Sequence, residues 1–117
     1  MRVIICGGRD LNEQDRGLMN AISCATKERQ WKIETVISGA ARGGDQIGER
    51  WAKRWDRKVE RYPANWNKYG RGAGFVRNEQ MAQVAEAVIA LPGGSGTAHM
   101  IKTARRLGLP VHIVQSE

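Results

Sequence analysis

Apolar residues along this chain follow two rhythms. Short aliphatic and β-branched runs, "RVIIC" (2–6), "IETVIS" (33–38), "KVERY" (58–62), "AVIAL" (87–91) and "VHIVQ" (111–115), read as strands. The "VII" and "VIAL" runs lack polar alternation, the pattern of parallel strands covered on both faces. Between them the apolar spacing lengthens to three and four residues. Leu11, Leu18 and Ile22 share one helical stripe, Ile47, Trp51 and Trp55 a second, and Met100, Ala104 and Leu107 a third. A helix across 73–85, with Met81, Val84 and Val88 near its C-terminal end, supplies the remaining crossover. Strand–helix alternation predicts an α/β three-layer fold with a mostly parallel five-stranded sheet. The most apolar strands, the first and fourth, belong at its centre, which gives the order 3-2-1-4-5 with right-handed crossovers.

That order predicts where a ligand binds. The chain switches direction between the first and fourth strands, and open α/β sheets take ligands beyond the strand carboxyl ends at such a point. Two glycine loops leave those strands, "GGRD" (7–10) and "PGGSGT" (92–97), and a third, "SGAARGGD" (38–45), leaves the second strand. Gly93, Gly94 and Gly96 let a ligand approach the main chain. A helix starting there offers unpaired N–H groups to a phosphate, with Ser95 and Thr97 adding hydroxyls. A tight turn with Thr97 as N-cap accounts for the same residues. Three such loops at strand ends favour the phosphate. "GGRD" contributes Gly7, Gly8 and Arg9, with Asp10 expected to cap the first helix. In the third loop Gly39, Gly43 and Gly44 read as a second backbone cradle, and Arg42 as an anion partner. Asp45 either caps the second helix or accepts hydrogen bonds from a ribose.

Composition narrows the partners. The 117 residues read as one domain, 1–117, with a formal charge of +7 that favours nucleotides or nucleic acid. Many of the basic residues fall on predicted helix faces ("KERQWK", "KRWDRK", "KTARR"), where solvation explains them. No apolar run approaches the ~20 residues of a membrane span, and Arg9 and Asp10 interrupt the first run too early for a secretory signal. Cys6 and Cys24 lack metal-type spacing and read as two reduced, mostly buried thiols of a cytoplasmic protein. His99 and His112 have no ligand spacing, so no metal or cofactor is expected.

The segment "YPANWNKYGRGAGFVRNEQM" (62–81) crowds Tyr62, Trp66 and Tyr69 into a loop. They stack on a base, pack over the sheet end, or contact another subunit. Arg77 and Asn78 follow on the next helix, where a planar Arg suits phosphate or carboxylate. Trp51 and Trp55, at i and i+4 with Ile47, have the spacing of a core or a subunit interface. Trp66 is then the free tryptophan, and no dense basic stripe is evident.

These motifs, in this order and across nearly the full length, resemble the SLOG superfamily, and within it the small YspA/YpsA-related group of bacterial and phage proteins. The resemblance implies a Rossmann-like fold, a pocket for a nucleotide or nucleotide-derived ligand, and assembly as a homo-oligomer. LOG phosphoribohydrolases of that superfamily cleave the N-glycosidic bond of a nucleoside monophosphate, using an Arg and the Glu of PGGxGTxxE. Aligned on "PGGSGT", Arg77 falls on the Arg, but Met100 stands at the Glu position and cannot activate water. His99 is a residue away, about 100° around the helix, on a polar face with Lys102 and Arg106 that implies exposure to solvent. Asp45 or Glu79 would have to replace the carboxylate, so the catalytic candidates are Arg77, Asp45 and Glu79. "SGAARGGD" is similar to the SGxARGxD stretch of the DNA-processing protein DprA, which binds single-stranded DNA. The leading expectation is nucleotide binding by a sensor or sequestering protein. Glycosidic hydrolysis of nucleoside monophosphates or ADP-ribose-like metabolites, and single-strand binding, are the alternatives.

Overall fold

A computed structural model describes residues 1–115. Five strands, β1 (Arg2–Cys6), β2 (Thr35–Ser38), β3 (Lys58–Arg61), β4 (Ala87–Ala90) and β5 (Val111–Ile113), form a single sheet in the order β3-β2-β1-β4-β5. All four pairings are parallel. The order read from the apolar runs is the one observed, and each predicted strand is present, four of them shorter by one or two residues.

Parallel strands alternate their side chains between two faces, so each face needs its own cover. Val3 and Ile5 of β1 pack with Ile22 of α1 (Arg16–Arg29) and with Ile47 and Trp51 of α2 (Gly44–Arg54). Ile4 and Cys6 point the other way, against Met81 of α4 (Ala73–Val84) and Met100 and Ala104 of α5 (Ser95–Arg106). The result is three layers, with a short α3 (Trp66–Tyr69) and a 3₁₀ turn (Gly70–Gly72) leading into α4. Each fully buried Ile contributes roughly 1.5–3 kcal/mol. Met100 is 1 % exposed, so its place on the α5 stripe is that of a core residue.

Three expected helix positions differ. Asp10 does not cap the first helix: α1 starts at Arg16, and Asp15 accepts the Leu18 amide at 3.1 Å instead. The loop after β1 is therefore longer than the motif implied, and Leu11 packs beside the core from that loop. Trp51 is buried, its Nε1–H donating to Ser23 Oγ at 2.9 Å, while Trp55 is 51 % exposed. The i, i+4 spacing puts both on one side of a helix, but α2 ends at Arg54 and leaves Trp55 past its last turn. Leu107 is left exposed beyond the end of α5 in the same way.

Candidate functional site

β1 and β4 lie side by side at the centre of the sheet, and the loops that follow them leave from adjacent carboxyl ends. Gly8 N–H donates to the Pro92 carbonyl at 2.8 Å, tying the two loops together. A cleft of about 690 Å³ opens above this junction. Its floor is apolar, made by Cys6, Met81 and Met100, and its far wall is the first half of α4 with Phe75, Arg77 and Asn78. Of the positions singled out in the sequence, Gly7, Gly8, Arg9, Asp45, Trp66, Arg77, Asn78 and the run Gly93–Thr97 line it.

The α5 end of the cleft is open. Gly94 occupies the N-cap position without a side-chain cap, and the Ser95, Gly96 and Thr97 amides have no acceptor among the described residues. A Cβ built on Gly94 or Gly96 meets nothing within 4 Å, whereas one on Gly93 comes within 2.7 Å of Gly8 N. Packing thus requires one glycine of the three and leaves space in front of the other two. Thr97 is not the N-cap; it sits in the first turn, buried against Gly93.

The loop after β2 is closed. Gly43 has φ +75°, and its amide donates to Glu13 Oε2 at 2.8 Å. Gly44 N–H donates to the Gly8 carbonyl at 3.0 Å, and a Cβ on Gly44 would come within 2.7 Å of Gly7 C. These two glycines let the loops after β1 and β2 touch backbone to backbone, and their amides do not face the cleft. Gly39 is buried, its carbonyl accepting from Arg77 Nη1. Arg42 is exposed and does not line the cleft, but it reaches Asp10, which does, at 3.6 Å.

Arg77 crosses from α4 to that carbonyl, and its Nε donates to Asn78 Oδ1 at 3.1 Å. Burial lowers its pKa from the ordinary value; Asp45 offsets part of this, and the nearby charge of Arg9 adds to it. Arg9 also lies over the Trp66 ring, 5.9 Å from its centroid. Asp45 is 7 % exposed and accepts the Ala41 amide at 3.1 Å. It does not cap α2, whose N-cap is Gly43. Burial pushes its carboxyl up to about 6, against the opposing pull of the Ala41 amide and Arg77. Burial also pushes the Cys6 thiol up, so it stays a neutral part of the floor.

Asn78 ties α4 to α5. Its Nδ2 donates to the Gly96 carbonyl at 3.3 Å and lies 3.2 Å from His99 Nδ1, which is therefore the acceptor. His99 stacks on Phe75 with ring centroids 4.2 Å apart, and burial lowers its pKa. It faces α4, contrary to the solvent exposure its polar neighbours implied. Glu79 makes a two-oxygen pair with Arg106 at 2.7 Å and lies outside the cleft. Tyr62 packs against the core on the α4–α5 face of the sheet, and Tyr69 is exposed beside Lys68, so of Tyr62, Trp66 and Tyr69 it is Trp66 that lines the cleft, with Phe75 from the same segment. Phe75, Arg71 and the apolar floor went unread in the sequence. For Arg71 and Phe75 a signal existed, since both lie in the aromatic segment just before Arg77.

The model of the YspA, cpYpsA-related SLOG family matches residues 1–69. The chain belongs to this family. The match takes in the loops after β1 and β2 and Trp66, while Arg77 and the loop after β4 lie beyond it. The chain is also similar to the gene 61 protein of Mycobacterium phage D29, with 36 % identity over 86 residues, or 65 % of this chain and 67 % of that protein. SLOG membership associates the fold with nucleotide-related function. Among the described residues no helix is long and apolar enough to cross a membrane, and no three His, Cys, Asp or Glu side chains gather as a metal site would need.

Proposed function

We propose that the cleft binds a nucleotide or nucleotide-derived ligand, as a sensor or sequestering protein of the cytoplasm would. The observation that carries this reading is the uncapped first turn of α5 facing the same cleft as Arg77 and Arg9. Orphan N–H groups at a helix start carry a partial positive charge suited to a phosphate. Arg77 supplies a fixed counter-charge, held in place by Gly39 and Asn78. Trp66, exposed at the cleft edge, offers a face for a base, with Arg9 poised over the same ring.

A thermal-shift series over nucleoside mono-, di- and triphosphates, dinucleotides and cyclic nucleotides tests the reading. We expect at least one to raise the melting temperature, and Arg77→Ala to diminish the rise at the same ligand concentration. If no member of the series shifts the parent protein, the reading is wrong.

Glycosidic hydrolysis is a second reading, favoured by Asp45. A carboxyl with a pKa near 6 inside the cleft is poised to take a proton from water at neutral pH. The same incubation followed by chromatography distinguishes the two. Free base from a bound nucleotide, absent with Asp45→Asn, marks turnover, and intact nucleotide marks binding alone.

A further inference from the structure

A second groove runs between α1 and α2, on the other face of the sheet from α4 and α5. Its volume is about 730 Å³. Arg16 from α1 and Arg50, Lys53 and Arg54 from α2 line it, with the exposed indole of Trp55 at one end. No acidic residue lines the groove, and none of the four cations makes an ion pair among the described residues. We propose that this groove is a docking surface for single-stranded nucleic acid.

Helix stability does not account for the arrangement. Lys53 and Arg54 suit the last turn of α2, where cations meet the negative end of the helix dipole. Arg16 is the first residue of α1, where a cation opposes the dipole, and that turn holds no acidic residue. Arg50 and Arg54 stand one turn apart on α2, so they present charge along a line. An exposed tryptophan beside such a line combines the two elements of sequence-tolerant single-strand binding: stacking on an aromatic face and neutralisation of phosphates. A second copy of the chain fits poorly, because a two-fold contact would set four cations against four. The groove is separate from the cleft, so the proposal does not rest on the nucleotide reading.

The test is fluorescence anisotropy of a fluorescein-labelled oligothymidylate at rising salt. Neutralising four phosphates gives a log–log salt slope of about −3. Trp55→Ala is expected to weaken binding on the order of tenfold or more while leaving any nucleotide-induced thermal shift at the cleft unchanged. The triple substitution Arg50→Gln, Lys53→Gln and Arg54→Gln alters exposed side chains only, and should flatten the slope to about −1 with little change in melting temperature. Failure of the parent protein to retain the strand at low salt overturns the proposal. So does loss of binding on Arg9→Glu but not on the groove substitutions, which would place the strand at the cleft. Sedimentation in which Trp55→Ala converts a dimer to a monomer, with strand binding unaltered, also overturns it and assigns the surface to a second copy.

Discussion

In the loop 38–45 the Gly43 and Gly44 amides donate to Glu13 and to the Gly8 carbonyl, and a Cβ on either of these two glycines would strike backbone. In the loop 92–97 the amides that open α5 have no acceptor among the described residues, and a Cβ on Gly94 or Gly96 would meet nothing within 4 Å. Both loops follow sheet strands, both are glycine-rich, and both lead into a helix. Their glycines do opposite things. In the first they permit a close approach between two parts of the protein itself. In the second, two of the three leave a surface free for something else. Glycine content alone therefore does not identify a ligand loop; the partner of each amide does.

The sharpest way to break the comparison is to add one methyl group to each loop. Gly43→Ala places a Cβ at a positive φ and within 2.8 Å of the Arg9 backbone, which should cost about 3 kcal/mol or more. Urea unfolding should show a large fall in midpoint or no cooperative transition at all. A normal midpoint would mean that the closed loop is not closed.

Asp45 reports on how well that closed side excludes water. Its folded pKa of about 6 lies above the 3.8 of an ordinary Asp. Between these values the native state holds a proton that the unfolded chain releases, so stability falls as pH rises from about 4 to about 6. The loss amounts to about 3 kcal/mol. Asp45→Asn should remove it, and parallel unfolding curves at pH 4 and pH 7 for both proteins measure the difference. Equal pH dependence in parent and variant would show the carboxyl to be well hydrated.

Arg77 spans the two loops, bonded to a carbonyl on the closed side while facing the open one. A charged hydrogen bond to a bound anion contributes about 1.5–3 kcal/mol. Arg77→Ala should thus weaken nucleotide binding roughly tenfold to a hundredfold, as read by calorimetry. The smallest effect on stability belongs to Gly96→Ala. It should leave the protein as stable as the parent, or stabler by at most about 1 kcal/mol, because Ala favours the helix. The same methyl group stands where a phosphate would approach, so calorimetry should show weaker nucleotide binding in a fully folded protein. Unchanged affinity would move the phosphate away from α5.

Strand order followed from the sequence because burial on both faces demands unbroken apolar runs, and only β1 and β4 carry them in full. The alternation of strands and helices likewise follows from two periodicities that any folded chain of this pattern must satisfy. Helix ends were less legible. Asp10 reads as the cap from its place after the glycines, yet α1 starts only at Arg16 and Asp15 caps it instead. Trp55 shares the spacing of Trp51, yet α2 stops one residue too soon to carry it into the core. His99 reads as polar-faced from its own helix, and only α4, packed across from it, supplies Phe75 and Asn78.

The sequence by itself determined the sheet, the side of the sheet at which its loops converge, and the residue types present there. These are consequences of local periodicity and of the connectivity it forces. Tertiary structure decided which amides remained unpaired, which carboxylate lost its water, and which tryptophans stayed outside. Each of those depends on what a distant segment places within a few ångströms, and hydrogen bonding and desolvation act only at that range.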